Sequence, residues 1–355
     1  MRTYVRWLLV AIAIALLCLA AAALHRLHRG RDLVSAARSL IAMRALGTPG
    51  NGHEIDPGKL VRAPYADAVY VGTLENRYLR EISGLVASRR RDDVLWGVND
   101  SGGKPKLFAV GLDGRDLGSV RIYGGVRNVD WEDLSIFERD GRSYLIVADI
   151  GDNFEWRRRV DLYIVEEPEV GPDGVPARAP VAWRIPFHYE DGPHDCEALA
   201  FDPSSGQVLV VTKRDVPPVL YGFALGASHD ASEREAKRLG ELVRLPQPTQ
   251  EDRAEDWLRG PTRSQITALS IAPDGATAVL LTYRDGYQFA RGPDETWAAA
   301  FARTPLRIPV PPMPQKEAMT FGHTGRTLFA TSEQQPSPLF RFDPRDSSVE
   351  PAREK

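Results

Sequence analysis

The sequence predicts an all-β protein built as a β-propeller, and three observations support this prediction. After Tyr70, helical periodicity is scarce. Short runs of Val, Ile, Leu, Phe and Tyr alternate with Gly, Pro, Asp and Asn, which is typical of strands and turns. One short pattern then recurs five times along the chain, and such repetition is typical of propellers. An N-terminal transmembrane helix is predicted to precede the propeller.

Each repeat starts with a polar residue, any residue, a second polar or acidic residue, a small residue or Asp, and then Leu or Met. The five segments are EISGLVA (from Glu81), DWEDLSI (from Asp130), DCEALAF (from Asp195), QITALSI (from Gln265) and QKEAMTF (from Gln315). Small residues suit innermost strands, which crowd toward the axis of a propeller. The repeat count predicts five blades, or six if the long stretch 226–262 contains a divergent blade.

Each repeat is followed by further strand-like runs, so that each blade has four strands. Fourth strands are predicted at GSVRIY (118–123), VAWRIPF (181–187), GELVRLP (240–246) and PLRIPVP (305–311). The last repeat has no fourth strand before the chain ends. The segment AVYVGTLE (68–75), which precedes the first repeat, is expected to supply it and to close the ring.

The N-terminal 31 residues are predicted to be a membrane anchor or signal segment. Residues 7–24 form an apolar run of 18 residues that meets the lower limit for a membrane span, and Arg2 and Arg6 precede it. We favour an uncleaved, single-pass anchor in a bacterial cytoplasmic membrane, with the propeller on the outer (periplasmic or extracellular) side. Arg26, Arg29 and Arg31 follow the run, and the positive-inside rule read alone favours the opposite orientation. The remaining chain is predicted to divide into a linker at 32–65 with a short helix, the propeller at 66–345 and a flexible tail at 346–355.

Composition excludes several classes of protein. The net charge is −3, with 45 basic and 48 acidic residues, and no basic stripe predicts nucleic-acid binding. The two cysteines, Cys18 and Cys196, provide neither a disulfide framework nor a cysteine-rich zinc module. Motifs of serine hydrolases and P-loop enzymes are absent from the sequence.

The chemistry is expected at one mouth of the central channel, where the innermost strands begin together. The polar residues that start the repeats are Glu81, Ser83, Asp130, Glu132, Asp195, Glu197, Gln265, Thr267, Gln315 and Glu317. Six of these ten are carboxylates, which repel one another unless protons or cations neutralise them. Oxygen ligands suit a hard cation, and Ca²⁺ is predicted before Mg²⁺. The predicted metal ligands are Glu132, Glu197, Glu317, Asp130, Asp195 and Asn99.

Two other interpretations of this chemistry remain open at the level of sequence. Lys213, Arg284 and Arg127 are expected near the same mouth, where they would form structural salt bridges with the carboxylates. Separately, His188 and His194 lie among carboxylates, a pattern that suits a zinc ion or an acid–base pair but also a polar surface loop.

The segments DCEAL (195–199), EAM (317–319), DWEDL (130–134) and NDSGG (99–103) resemble bacterial phytase-like propellers of the calcium-dependent phosphotriesterase type. The resemblance covers about residues 68–343. It implies calcium at the channel mouth and, in some members, hydrolysis of phosphate esters or lactones. The matching positions are Glu132, Glu197 and Glu317, with Asn99 and Asp149 as companions. The chain departs from an acid in every blade at Ser83 and Thr267.

Three functions follow from these observations. The first is a binding propeller whose acidic mouth holds a divalent cation and recognises a cell-envelope or small-molecule ligand. The second is a metal-dependent hydrolase of phosphoesters or lactones, with Glu197, Glu132 or Asp149 as the catalytic base. The third is a scaffold for protein partners, in which the carboxylates are structural.

Overall fold

The computed structural model describes residues 55–345, and this part of the chain consists mainly of β-strands around a central channel. Its helices are short: α1 (Gln250–Glu255), α2 (Trp297–Phe301) and the 3-10 turns Pro57–Lys59 and Gly260–Thr262. Between residues 55 and 345, no helix has the length and apolar character that a membrane span requires. The predicted anchor at 7–24, the helix within 32–46 and the tail at 346–355 lie outside the described residues.

The strands follow one another with short connections. In chain order they are β1 (Val69–Thr73), β2 (Ile82–Ala87), β3 (Val94–Asn99), β4 (Lys106–Gly111), β5 (Asp116–Tyr123), β6 (Trp131–Arg139), β7 (Arg142–Asp149), β8 (Val160–Glu166), β9 (Arg178–Pro180), β10 (Trp183–Tyr189), β11 (Cys196–Asp202), β12 (Gln207–Thr212), β13 (Val219–Ala224), β14 (Arg234–Glu241), β15 (Ile266–Ile271), β16 (Thr277–Thr282), β17 (Gly286–Ala290), β18 (Leu306–Ile308), β19 (Lys316–Phe321), β20 (Leu328–Ser332) and β21 (Pro338–Phe342).

Antiparallel pairing of neighbours in sequence produces four-stranded units. The order β2-β3-β4-β5 forms one unit, which β9 extends in parallel, and β15-β16-β17-β18 forms another. The units β6-β7-β8-β10 and β11-β12-β13-β14 join into one eight-stranded sheet, because their outer strands β10 and β14 pair in parallel. The last unit has the order β19-β20-β21-β1.

The innermost strands form a closed ring. β2 packs against β6, β6 against β11, β11 against β15, β15 against β19, and β19 against β2. Each pair of neighbouring units also shares its own apolar cluster. For example, Trp96 and Trp131 are fully buried together between the first two units, and Leu79 and Phe329 are buried where the last unit meets the first. The protein is therefore a β-propeller.

The predicted closure strand is confirmed. β1, within the segment 68–75, pairs antiparallel with β21 and completes the last unit. This pairing covers a strand edge that would otherwise expose unpaired backbone groups. Residues just before β1 continue along the outer surface of the ring: Ala63 donates a backbone hydrogen bond of 2.7 Å to Arg307, and Tyr65 is buried.

One predicted strand is wrong. The outer strand of the third unit is Arg234–Glu241, not the segment 240–246. The apolar side chains of that segment, Leu242 and Leu245, are buried between the third and fourth units without belonging to a strand. The long stretch 226–262 contains this strand, α1 and a 3-10 turn, and the structure places no further sheet there.

Candidate functional site

A cavity of about 430 Å³ lies at the end of the channel where the innermost strands begin. Six of the ten predicted mouth residues line it: Ser83, Glu132, Glu197, Gln265, Gln315 and Glu317. The loop between β14 and β15 adds another wall with Asp256, Leu258, Arg259, Thr262 and Arg263. The prediction that the repeats converge on one mouth therefore agrees with the position of this cavity.

A repeated backbone irregularity explains why the second polar residue of each repeat faces the channel. In all five innermost strands, the pairing register with the next strand shifts at that residue. Such a β-bulge adds one residue to the strand and redirects its side chain. The residues at the five shifts are Ser83, Glu132, Glu197, Thr267 and Glu317.

The two hydroxyl residues at these bulges connect neighbouring strands. Ser83 Oγ donates a 2.8 Å hydrogen bond to the carbonyl of Trp131, and Thr267 Oγ1 donates one of 2.8 Å to the carbonyl of Lys316. Each accepting carbonyl belongs to the residue directly before a bulge glutamate. The hydroxyls thus fix the backbone that presents Glu132 and Glu317.

Three carboxylates form the tightest acidic group of the described chain. Asp100, Asp130 and Glu132 each contribute one carboxylate oxygen, and these three oxygens lie within 4.8 Å of one another. Gly151 makes room for this group, because a Cβ atom at that position would overlap carboxylate atoms of Glu132 and Asp130. Carboxylate oxygens at this spacing are the ligand type that Ca²⁺ and Mg²⁺ use.

Four of the predicted site residues do not line the cavity: Asp130, which belongs to the acidic group described above, and the three whose contacts follow. Asp149 is fully buried, and its carboxylate accepts hydrogen bonds from Arg157 and from the backbone of residues 129 and 130. Asp195 is buried and binds Arg214 at 2.5 Å. The side chain of Asn99 bonds to backbone atoms of Tyr78 and of residue 81. These contacts give the three residues structural roles, and Asp100, adjacent to Asn99, lines the cavity instead.

The other two glutamates sit in a connected network. Glu197 forms a buried ion pair with Lys213, so this part of the salt-bridge interpretation holds. Tyr283 donates a 3.0 Å hydrogen bond to Glu317, and Lys213 Nζ lies 5.6 Å from the centre of the Tyr283 ring. Burial raises the pKa of Glu317 well above its ordinary value, and the nearby carboxylates of Glu197 and Glu333 raise it further. Burial alone would lower the pKa of Lys213. The attraction of Glu197 and the other nearby carboxylates outweighs this effect, so the pKa of Lys213 is raised.

The lining is mixed in charge, whereas the sequence predicted an acidic mouth. Its acidic residues are Asp100, Glu132, Glu197, Asp256, Glu317 and Glu333, and its basic residues are Lys213, Arg214, Arg259, Arg263 and Lys316. Burial, partly offset by Asp285, lowers the pKa of Lys316 to about 8. Arg284, expected at the mouth carboxylates, instead forms an ion pair with Asp252 in α1. The cavity can therefore contact both positive and negative groups of a ligand.

Asp133 is a central residue that the sequence interpretation did not single out. It occupies the position that is Gly or Ala in the other repeats, and it is 2% exposed. Its carboxylate accepts backbone hydrogen bonds from Leu134 at 2.8 Å, Leu199 at 2.8 Å and Leu269 at 3.2 Å. Burial raises its pKa well above the ordinary value despite these three donors. The signal for it was present in the sequence, as the one large exception in a column of small residues.

The two histidines of the 188–197 segment do not share a site. His188 contacts Glu233 at 2.9 Å, whereas His194 contacts Asp191 at 2.9 Å and Tyr221 at 2.8 Å. Within residues 55–345, the acidic group described above is the one cluster of three potential metal ligands at this spacing, and it contains no histidine.

Comparisons with known proteins found similarity to solved structures only. No protein-family model matches the chain, and no curated protein matches it. Among solved structures, the chain is similar to the β-propeller domain of Myceliophteria thermophila Cps50 (Swd1), with 12% identity, a TM-score of 0.40 and coverage of 77% of this chain and 99% of that one. It is also similar to a chain of a nidogen/laminin complex, with 13% identity, a TM-score of 0.37 and coverage of 71% and 73%. The Dos1 propeller matches with 12% identity, a TM-score of 0.34 and 71% coverage, and this chain spans about half of its length (53%).

Proposed function

We propose that this propeller is a binding protein whose channel mouth holds a divalent cation, Ca²⁺ before Mg²⁺, and uses it to bind a cell-envelope or small-molecule ligand. We further propose that residues 7–24 anchor it in a bacterial cytoplasmic membrane, with the propeller on the outer side. The observation that carries the cation proposal is the convergence of Asp100, Asp130 and Glu132 within 4.8 Å of one another, with Asp100 and Glu132 lining the cavity.

The surroundings of this acidic group are compatible with a bound cation. Asp100 and Glu132 are buried, and a cation between them and Asp130 would offset the repulsion of neighbouring negative charges. Asn128 donates from its amide nitrogen to the carbonyl oxygens of Asn99 and Asp100, at 3.0 and 2.6 Å. Its buried amide oxygen has no donor among the described residues and is a further oxygen ligand near the group.

We also propose that the propeller has five blades. The support is the closed ring of innermost strands β2, β6, β11, β15 and β19, each of which starts a four-stranded unit. An apolar cluster lies between each pair of neighbouring units.

A second candidate function is the metal-dependent hydrolase of phosphoesters or lactones that the phytase-like resemblance implies. The mixed charge of the cavity favours it, because basic side chains in the same cavity as a cation suit the negative charge that develops in such a reaction. Glu132 and Glu197 line the cavity and remain the base candidates. Asp149 is not a base candidate in this proposal, because its carboxylate is fully buried and bound to Arg157.

A scaffold function has one observation in its favour. Large exposed apolar side chains lie in loops on the mouth side of the ring: Tyr78, Val129, Phe154, Trp156 and Trp257. Phe154 and Trp156 stack on each other with ring centres 4.8 Å apart, and Trp156 is 77% exposed. Exposed aromatic groups of this kind are common at protein interfaces.

The first experiment measures calcium in the purified full-length chain by elemental analysis after dialysis, with a thermal-shift titration of Ca²⁺ alongside. We expect stoichiometric calcium and a melting temperature that rises with Ca²⁺ concentration. Glu132→Gln should remove both effects, and Glu169→Gln, which changes an exposed glutamate outside the cavity lining, should retain them. A Ca²⁺ response that is equal in the two variants would contradict the proposed site. Turnover of a phosphoester or lactone panel that requires Ca²⁺ and Glu132 would favour the hydrolase over the binding protein.

A further inference from the structure

Arg214 is held rigidly at the wall of the cavity. It follows β12 closely and lines the cavity, and its side chain is 10% exposed. Its Nε donates to Asp195 at 2.5 Å, and its Nη2 donates to Asn153 at 2.7 Å. Two of its three nitrogens are thereby fixed, so the direction of the third is fixed as well.

That third nitrogen lacks an acceptor. Nη1 of Arg214 is buried and has no hydrogen-bond partner among residues 55–345. Buried polar groups in native proteins nearly always have a partner, and a buried charged donor without one is especially unfavourable. Arg214 lines the cavity, so a molecule that occupies the cavity and displaces the atoms covering Nη1 can supply the missing acceptor.

We propose that Arg214 Nη1 binds an oxyanion group, a phosphate or a carboxylate, on the ligand of this propeller. A guanidinium forms its strongest hydrogen bonds with oxyanions, because the charge assists the bond. Arg259 and Arg263 line the same cavity and add positive charge to its wall. This inference rests on the proposed ligand-binding function and specifies the chemistry of the ligand.

Asn153 places the oxyanion site next to the proposed cation site. Its amide oxygen accepts from Arg214, and its amide nitrogen lies 3.5 Å from Asp130 Oδ2, an oxygen of the acidic group. One residue therefore separates the guanidinium from the carboxylates. We expect an oxyanion bound at Nη1 to interact favourably with the cation, so each should strengthen the binding of the other.

The test is isothermal titration of the full-length chain with methyl phosphate and, separately, with acetate, each with and without Ca²⁺. We expect at least one of the two probes to bind, more tightly with Ca²⁺ than without. Arg214→Lys keeps a positive charge that can pair with Asp195 but removes the Nη1 donor, and it should weaken probe binding about tenfold or more. The matched control is Arg341→Lys, at an exposed ion pair with Asp343. A second variant, Asn153→Ala, leaves the Arg214–Asp195 pair in place and should reduce the difference that Ca²⁺ makes.

The outcomes separate this inference from the cation proposal. Probe binding that Arg214→Lys weakens and Arg341→Lys does not supports the oxyanion site, and the preferred probe identifies phosphate or carboxylate as the group. The same result without any effect of Ca²⁺ still supports the oxyanion site but counts against the proposed cation. Equal probe binding by the two variants, or no binding of either probe to the unaltered chain, overturns the inference and leaves the Nη1 donor to a water molecule.

Discussion

Replacement of Asp133 by alanine tests how the centre of the ring is stabilised. Its carboxylate accepts hydrogen bonds from the backbone of three innermost strands, β6, β11 and β15. Alanine occupies the equivalent position in three other repeats, at residues 198, 268 and 318, so it fits the strand and adds no bulk. Asp133→Ala therefore removes the acceptors with little other change.

The expected cost follows from the three backbone donors. Each buried N–H that loses its acceptor costs about 1–3 kcal/mol, so the loss is at least roughly 3 kcal/mol before the buried carboxyl group itself is considered. Removal of that group offsets part of the loss, because its raised pKa shows that burial disfavours its charged form. Asp133→Asn keeps one acceptor oxygen and is expected to cost less than Asp133→Ala.

The pH dependence gives a second, independent readout. The folded protein holds a proton on Asp133 at pH values where the unfolded chain, with an ordinary pKa near 3.8, releases it. This contribution to stability is complete below the unfolded pKa and is lost as the pH rises through the folded pKa. The stability difference between the unaltered chain and Asp133→Ala should therefore be largest at low pH and should shrink as the pH rises.

The assay is equilibrium unfolding in urea at several pH values, with the slope m compared between variants. If Asp133→Ala is as stable as the unaltered chain at every pH, the three hydrogen bonds do not hold the ring together. If the difference grows with pH instead, the carboxyl group is ionised in the folded protein and the reasoning about its burial is wrong.

Three further predictions concern the cavity. Gly151→Ala should push the carboxylate of Glu132 away from its neighbours and weaken Ca²⁺ binding about tenfold while the fold is retained, as measured by calorimetric titration and circular dichroism. Glu317→Gln should raise the melting temperature relative to the unaltered chain by an amount that grows as the pH rises above 4.5, the ordinary pKa of glutamate, because the raised pKa makes ionisation of Glu317 unfavourable in the folded state. An offset that does not change with pH would contradict this. Lys213→Met should destabilise the protein by about 3–5 kcal/mol in urea unfolding, because it leaves the charge of Glu197 buried without its partner. The double variant with Glu197→Gln should recover part of this loss, because it removes the unpaired charge.

The innermost strands were predictable because their constraint is local. A small residue is needed where strands crowd near the axis, and the bulge residue directly before it is polar because its side chain faces the channel. Both requirements recur in sequence, as at Gly84 after Ser83, where a Cβ would come within 3.0 Å of the neighbouring strand's backbone. The closure strand was also predictable, because the last repeat needed an apolar partner and the segment before the first repeat provided one.

The outer strand β14 was missed because its constraint is not local. Its sequence, REAKRLGE, is mainly polar, and only Ala236 of its residues is fully buried. It becomes a strand because β13 and β10 offer backbone partners on its two sides. The following segment contains the apolar residues Leu242 and Leu245, which looked like a strand but fill the interface between two units. Burial alone therefore did not distinguish a strand from a packed loop.

One predicted site residue, Asn99, is a single position away from a residue that lines the cavity, Asp100. Adjacent residues of a strand point in opposite directions. A prediction that is wrong by one residue therefore selects a side chain that faces away from the channel. This separates Asn99, which bonds to the backbone of Tyr78, from Asp100, which lines the cavity. Arg259 and Arg263 lie in the loop before β15, outside the repeat pattern, so self-comparison gave no reason to expect them at the mouth.

Ser83 and Thr267 were interpreted as departures from an acid in every blade, and their hydrogen bonds give them a different role. Each hydroxyl holds the carbonyl that precedes the glutamate of the next strand, Ser83 for Glu132 and Thr267 for Glu317. An acid at either position would lose this donor and add negative charge to a mouth where the pKa of Glu317 is already raised by its neighbours. The two hydroxyls among the five bulge residues therefore limit repulsion and position Glu132 and Glu317. A mouth with fewer acids is, on this argument, better suited to hold one cation than a ring with five.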